Sequence, residues 1–189
     1  MHQITHPFSA SLKGKEITTD AAPNFNWSAT TWIITQHLKE VAILMSEEEI
    51  NRRDPSRTWA KFLCYRKDDS TKKPAFMRIC RQLPVIGTEY DKPRARALQA
   101  IPKQENAELK AFQRLKLLHC EVTPALLGYS EATQGDYDPV PGGFSVCIIW
   151  DKVPGDSLSL DYFWGLDRDT RDALRRKFRQ VIECVPALL

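Results

Sequence analysis

The side chains best equipped for chemistry in this 189-residue chain are spread along it rather than gathered into motifs. A metal centre needs His, Cys or carboxylate ligands at spacings that let them converge on one ion. His2, His6, His37 and His119 do not complete such a set, and each reads as a surface or packing residue. Acyl transfer needs an activated nucleophile beside a base, but Ser145 lies outside any G-x-S-x-G elbow and the chain order suggests no Cys–His pair. A phosphate-cradling G-x-G-x-x-G loop is absent too. No glycine occurs between Gly14 and Gly87, and Gly142-Gly143 reads as hairpin-turn chemistry. Glu47, Glu48 and Glu49 form a like-charge run of the kind that faces solvent. Arg171, Arg175, Arg176 and Arg179 form a basic patch that reads first as a solvated helix face and second as a docking surface.

Composition narrows the classes further. A 42% hydrophobic fraction with 27% charged residues is the profile of a globular protein with a core, which excludes disorder throughout. Twenty-seven basic against 24 acidic residues, a net of +3, is too even to argue for nucleic acid or an acidic membrane surface as partner. The start of the chain has no basic segment leading into an apolar one, and the apolar run Val41 to Met45 is too short to cross a bilayer. The five cysteines are odd in number and scattered, with no C-x-x-C pair. Disulfides and zinc are therefore not expected, and a reducing, cytoplasmic setting is.

The elements that must position any site are read from periodicity. Residues 1–28 are polar and proline-punctuated, and predict a loose arm docked by Phe25 and Trp27. From Ser28 to Asn51, Trp32, Ile33, Leu38, Val41, Ala42 and Met45 recur at threes and fours, which predicts a helix. Ser46 followed by three glutamates predicts the cap and acidic first turn of a short helix. Runs 59–65 and 75–80 about a polar turn predict a β-hairpin. Residues 81–104, with three prolines, predict a largely irregular insertion. Residues 105–118 predict a helix with Leu109, Phe112 and Leu115 on one side. Segments 122–129 and 144–150 predict strands about a turn-rich link. A closing helix is predicted from Asp169 to Val185, with Leu174, Phe178, Val181, Ile182 and Val185 as its buried stripe and Asp169-x-x-Asp172 as its acidic start. The fold class expected is α+β: an antiparallel sheet of about four or five strands with one packed helix over 58–189, preceded by an arm and helical segment over 1–57.

A hairpin, a helix with an inward Glu, and a second hairpin ending in an apolar strand and a Pro-Gly turn together resemble the small lobe of the protein-kinase-like fold. The stretches 75–79, 122–129, 139–144 and Ile149-Trp150-Asp151-Lys152-Val153-Pro154-Gly155, with Phe163-Trp164-x-Leu166 and Arg171-Asp172 after them, are similar to fungal kinase-like proteins related to aminoglycoside phosphotransferases. The similarity spans residues 58–184 and is most specific in the second half. In that family a strand cation pairs with a helix carboxylate and orients the phosphates of ATP. The resemblance implies that Arg78, where the wider family has Lys, pairs with Glu108. Arg can fork onto a carboxylate, but its planar head reaches phosphate differently. The alternative is that Arg78 is a surface strand residue and Glu108 an exposed helix residue. The hinge whose backbone contacts adenine falls by the same resemblance on Asp151, Lys152 and Val153, with Trp150 either filling the adenine space or packing as core.

Phosphoryl transfer by this fold also requires a catalytic-loop Asp, an Asn shortly after it and a second metal-binding Asp. This chain has no His after His119, no Asn after Asn106 and no Asp after Asp172. The expectation is therefore a non-catalytic kinase-like protein with no resident cofactor and no metal, in which Arg78, Glu108, Asp151 and Val153 form a vestigial ATP clamp and hinge. A protein partner or self-association through the cleft face and the last helix is expected. The alternatives are the opening portion of an active phosphotransferase, or an accessory protein of a fungal metabolic or virulence pathway.

Overall fold

The computed structural model describes residues 12–50, 54–155 and 158–184. Six strands form one antiparallel sheet: β1 (Glu16–Thr19), β2 (Thr30–Ile43), β3 (Arg57–Arg66), β4 (Ala75–Gln82), β5 (Leu126–Thr133) and β6 (Phe144–Asp151), in the order β1-β2-β3-β4-β6-β5. The helices are α1 (Glu47–Ile50), α2 (Pro93–Ala97), α3 (Ala107–Leu117), α4 (Leu160–Gly165) and α5 (Arg168–Cys184). The chain is α+β as expected, but the sheet has six strands rather than four or five.

The extra strands come from the segment read as arm and helix. Residues 30–43 form β2, which pairs with β1 on one side and along its length with β3 on the other. The helical spacing seen in the sequence has a physical source. Two register shifts, at Ile34/Gln36 and His37/Lys39, each set two β2 residues against one on β3. A bulge of this kind inserts one residue into the period-two alternation. Consequently the more shielded positions run Trp32, Ile34, His37 and Glu40, and steps of three imitate a helix. β2, from the segment before residue 57, and β3 belong to one sheet. Within the segment expected to be an arm, Glu16–Thr19 form β1 and Pro23–Phe25 a 3-10 turn; residues 1–11 lie outside the described ones. Phe25 packs against Trp27, with ring centroids 4.8 Å apart.

The sheet curls until its edges nearly meet. The Asp20 N–H donates to the Tyr129 carbonyl (2.8 Å), and the Glu131 N–H donates to Asp20 Oδ2 (3.0 Å). Gly128 permits this approach, since a Cβ there would stand 3.0 Å from Thr19 Oγ1. Curling divides the apolar residues into two clusters. Trp32, Ile34, Phe62, Met77, Ile79 and Ile149 fill the inside of the curl. On the opposite face, Leu126, Val146, Ile148 and Trp150 are covered by Leu109 and Phe112 of α3.

The other expected elements fall close to their sequence bounds, except that β5 starts at Leu126 rather than Val122 and runs on to Thr133. α1 has its capping box: Ser46 Oγ accepts from the Glu49 N–H, and Glu49 Oε2 accepts from the Ser46 N–H (3.0 Å). Residues 81 and 82 finish β4 and 83–104 are irregular apart from α2, yet the segment is fastened by amides. Gln82 Nε2 donates to the Gln99 carbonyl (2.7 Å), and Gln82 Oε1 accepts from the Ile101 N–H (2.9 Å). α5 starts one residue earlier than expected, with Asp167 as its acceptor for the Thr170 N–H (2.9 Å). Its stripe is not buried: Phe178, Val181 and Ile182 are exposed and Leu174 is half-buried, while Val185 lies outside the described residues. The sequence period was right, but among the described residues no element covers that face deeply enough to bury it.

Candidate functional site

Alternation along β4 decides which of its residues can meet α3. Ala75, Met77 and Ile79 point into the curl, so Phe76, Arg78 and Cys80 take the opposite face. Their partners across the sheet are Leu63, Lys61 and Trp59 on β3 and Trp150, Ile148 and Val146 on β6. The start of α3 is set by Asn106, whose Oδ1 accepts from the Leu109 N–H (2.9 Å). That cap fixes the first turn so that Leu109 is buried in the sheet and Glu108, one residue earlier, hangs over β4.

Glu108 reaches Arg78. Both carboxylate oxygens lie 2.6 Å from Arg78 Nη1, with each side chain about one-third exposed (32% and 33%). The pairing that the sequence resemblance implied is present, in an unforeseen geometry. One guanidinium nitrogen serves both oxygens, rather than two nitrogens forking onto them. The Nε and Nη2 edge of Arg78 has no partner among the described residues, and the guanidinium lies 5.5 Å from the Trp150 ring.

Lys61, which sequence reasoning missed, completes the charged part of the site. It stands directly opposite Arg78 in the β3–β4 register, its Nζ 3.7 Å from the centroid of the Phe76 ring and 5.8 Å from that of Trp150. Partial burial, reinforced by the nearby Arg78 charge and opposed by Glu108, holds its pKa below the ordinary lysine value of 10.5. The one signal that could have found it is the hairpin register, which places Lys61 across from Arg78 once the turn at 67–74 is fixed.

The hinge candidates lie elsewhere. Asp151 is the last residue of β6; its N–H donates to the Ala125 carbonyl (3.0 Å) and its carboxylate stands 3.3 Å from Lys73 Nζ. Val153 is exposed beyond the strand. Arg78 and Glu108 line a cavity of about 380 Å³ at the start of α3 with Trp59, Arg57 and Asn106. Asp151 and Val153 line a separate cavity of about 390 Å³ at its other end, with Phe112, His119 and Ala125. The structure therefore brings Arg78 and Glu108 together and does not join them to Asp151 and Val153 in one site. Trp150 fills the face between, 7% exposed, with its ring 5.5 Å from Phe112 and 5.9 Å from Phe76.

No family model, curated protein or solved structure matches the chain. Its chemistry rests on these residues alone. Among the described residues no three His, Cys, Asp or Glu side chains converge as a metal site, and no helix is long and apolar enough to cross a membrane. Burial pushes the thiols of Cys64 and Cys80 up to about 12 and about 11, and raises Cys147 as well. Thiols held protonated in this way are packing groups, not nucleophiles.

Proposed function

We propose that this chain is a non-catalytic, kinase-like small-lobe module that binds a nucleotide or its phosphates weakly and acts through association. The observation that carries the reading is the Arg78–Glu108 ion pair linking the second strand of one hairpin to the helix that precedes the next hairpin. In kinase-like folds that contact orients phosphates without itself transferring them. Weak binding is supported by Trp150 and Phe76, which occupy the apolar face beside the pair and leave little room for a base there. Titrating the full chain with ATP, with and without magnesium, tests the reading. Weak saturable binding without hydrolysis or phosphotransfer agrees with it, and no binding at millimolar ATP removes the clamp.

A second reading takes the same residues as the nucleotide lobe of a longer phosphotransferase. The uncovered apolar face of α4 and α5, where Leu160, Trp164, Phe178 and Ile182 are exposed, favours it, because a following lobe would bury that surface. In the first reading a protein partner or a second copy of the chain covers the same face. Sequencing the transcript separates the two. A continuing frame carrying an Asp, an Asn and a further Asp in loop context supports the longer enzyme.

A further inference from the structure

Two cations face one carboxylate on the α3 side of the sheet. Lys61 and Arg78 are directly opposed cross-strand neighbours, an arrangement that destabilises a sheet when both carry charge. Glu108 offsets one charge and is taken up by Arg78 Nη1. The Lys61 ammonium has three donors to satisfy and among the described residues meets only ring faces, Phe76 at 3.7 Å and Trp150 at 5.8 Å. Ring contact attracts an ammonium through the negative face of the ring, but it supplies no hydrogen-bond acceptor. Arg78 likewise keeps its Nε and Nη2 donors unengaged. An apolar floor weakens screening of the charge left over, which makes this face attractive to an anion with several acceptor oxygens. Lys152 adds a third positive charge beyond it, with Nζ 5.9 Å from the same Phe76 ring.

We propose that Lys61 and the unengaged edge of Arg78, on neighbouring strands, together bind one phosphate-class anion, with Glu108 as the positioning residue that holds Arg78. Phe76 and Trp150 floor this subsite, and Lys61 is its main contact cation. The proposal deepens the nucleotide-clamp reading and rests on it for the ligand class. It moves the phosphate contact from the paired arginine to a lysine one strand away. The lowered Lys61 pKa fits this placement, since an anion bound there would restore the charged form.

Calorimetric titration of the full chain with tripolyphosphate and, separately, with ATP tests the assignment. Both are expected to bind, and Lys61→Gln should weaken each at least tenfold, while Lys67→Gln, removing a lysine paired with Glu16 just past the end of β3, leaves both unchanged. ATP binding that survives Lys61→Gln within twofold overturns the subsite and leaves the clamp reading standing. Tripolyphosphate binding that depends on Lys61, with ATP binding no tighter, keeps the subsite and removes the nucleotide reading. No binding of either ligand at millimolar concentration overturns the subsite. Because Lys61→Gln can disturb folding, the unmutated chain supplies a second measurement: amine acylation mapped by mass spectrometry. Lys61 is expected to be modified readily and protected by saturating tripolyphosphate; modification unchanged by bound ligand overturns the proposal.

Discussion

Arg78 Nη1 stands 2.6 Å from both carboxylate oxygens of Glu108, and this single nitrogen joins β4 to the first turn of α3. The contact also shields Arg78 from Lys61, its neighbour across the hairpin. Glu108→Gln removes the countercharge and leaves two cations opposed. With a third of each side chain open to solvent, the expected loss is about 1 kcal/mol in chemical denaturation. Adding Lys61→Met to the Glu108→Gln chain should recover part of it by removing the repulsion. A double variant that is no more stable than Glu108→Gln alone would show that the two cations do not oppose each other.

Gly143 identifies a second constraint. A Cβ at this position would lie 2.5 Å from Gln82 Oε1 and 3.0 Å from the Val140 carbonyl oxygen, so a neighbour must move. Gln82 has no slack to give, because its amide ties residues 99 and 101 to the end of β4 and its carbonyl accepts from Gln134 Nε2. Gly143→Ala is expected to cost about 1–3 kcal/mol, read as a lowered denaturation midpoint at unchanged m-value. Gly155→Ala, whose added Cβ meets nothing within 4 Å but whose φ is +93°, should cost less, near 1 kcal/mol.

How much of this was legible in the sequence depends on the range of the contacts. β3, β4, α3 and β6 could be read because each carries one uninterrupted period and ends in turn or cap residues nearby. The Arg78–Glu108 pair was implied only by the family resemblance, and the sequence by itself left both residues equally free to be exposed and unpaired. β2 was misread because its bulges turned steps of two into steps of three, and only pairing with β3 shows which face each residue takes. The amide ties of Gln82 and Gln134 were invisible for another reason: Gln has no positional signature, and its partners lie far along the chain. Lys61 looked like one more lysine on a hairpin until the register set it against Arg78.

The buried thiols predict a definite pH dependence. Cys64 rises from its ordinary value of 9.0 to about 12 and Cys80 from 9.0 to about 11, both because burial disfavours the thiolate. A raised pKa means that the folded chain holds protons which the unfolded chain releases. The associated stability is therefore complete below pH 9 and is lost as pH climbs through 9 toward 11 and 12. Denaturation midpoints should fall over that range, and Cys64→Ala with Cys80→Ala should flatten the fall. Near neutral pH, alkylation of these two thiols should follow unfolding; labelling of the native chain as fast as that of an unfolded one would contradict their burial.

On α5 the apolar stripe and the arginines share one helix, and among the described residues nothing buries the stripe. Phe178 is 66% exposed and Ile182, one helical turn on, 51%, while Trp164 of α4 is 59% exposed. Arg171 braces the two helices, donating to the Trp164 carbonyl (3.0 Å) and the Leu166 carbonyl (2.8 Å), so the face is held in place rather than free to fold away. Large apolar side chains left open on a fixed helix face drive association. Sedimentation of the full chain should show concentration-dependent self-association, and Phe178→Glu should shift it to monomer. Because Phe178 buries little in the monomer, the same substitution should leave the denaturation midpoint almost unchanged. An unaltered sedimentation profile with a lowered midpoint would place Phe178 in the fold rather than in an interface.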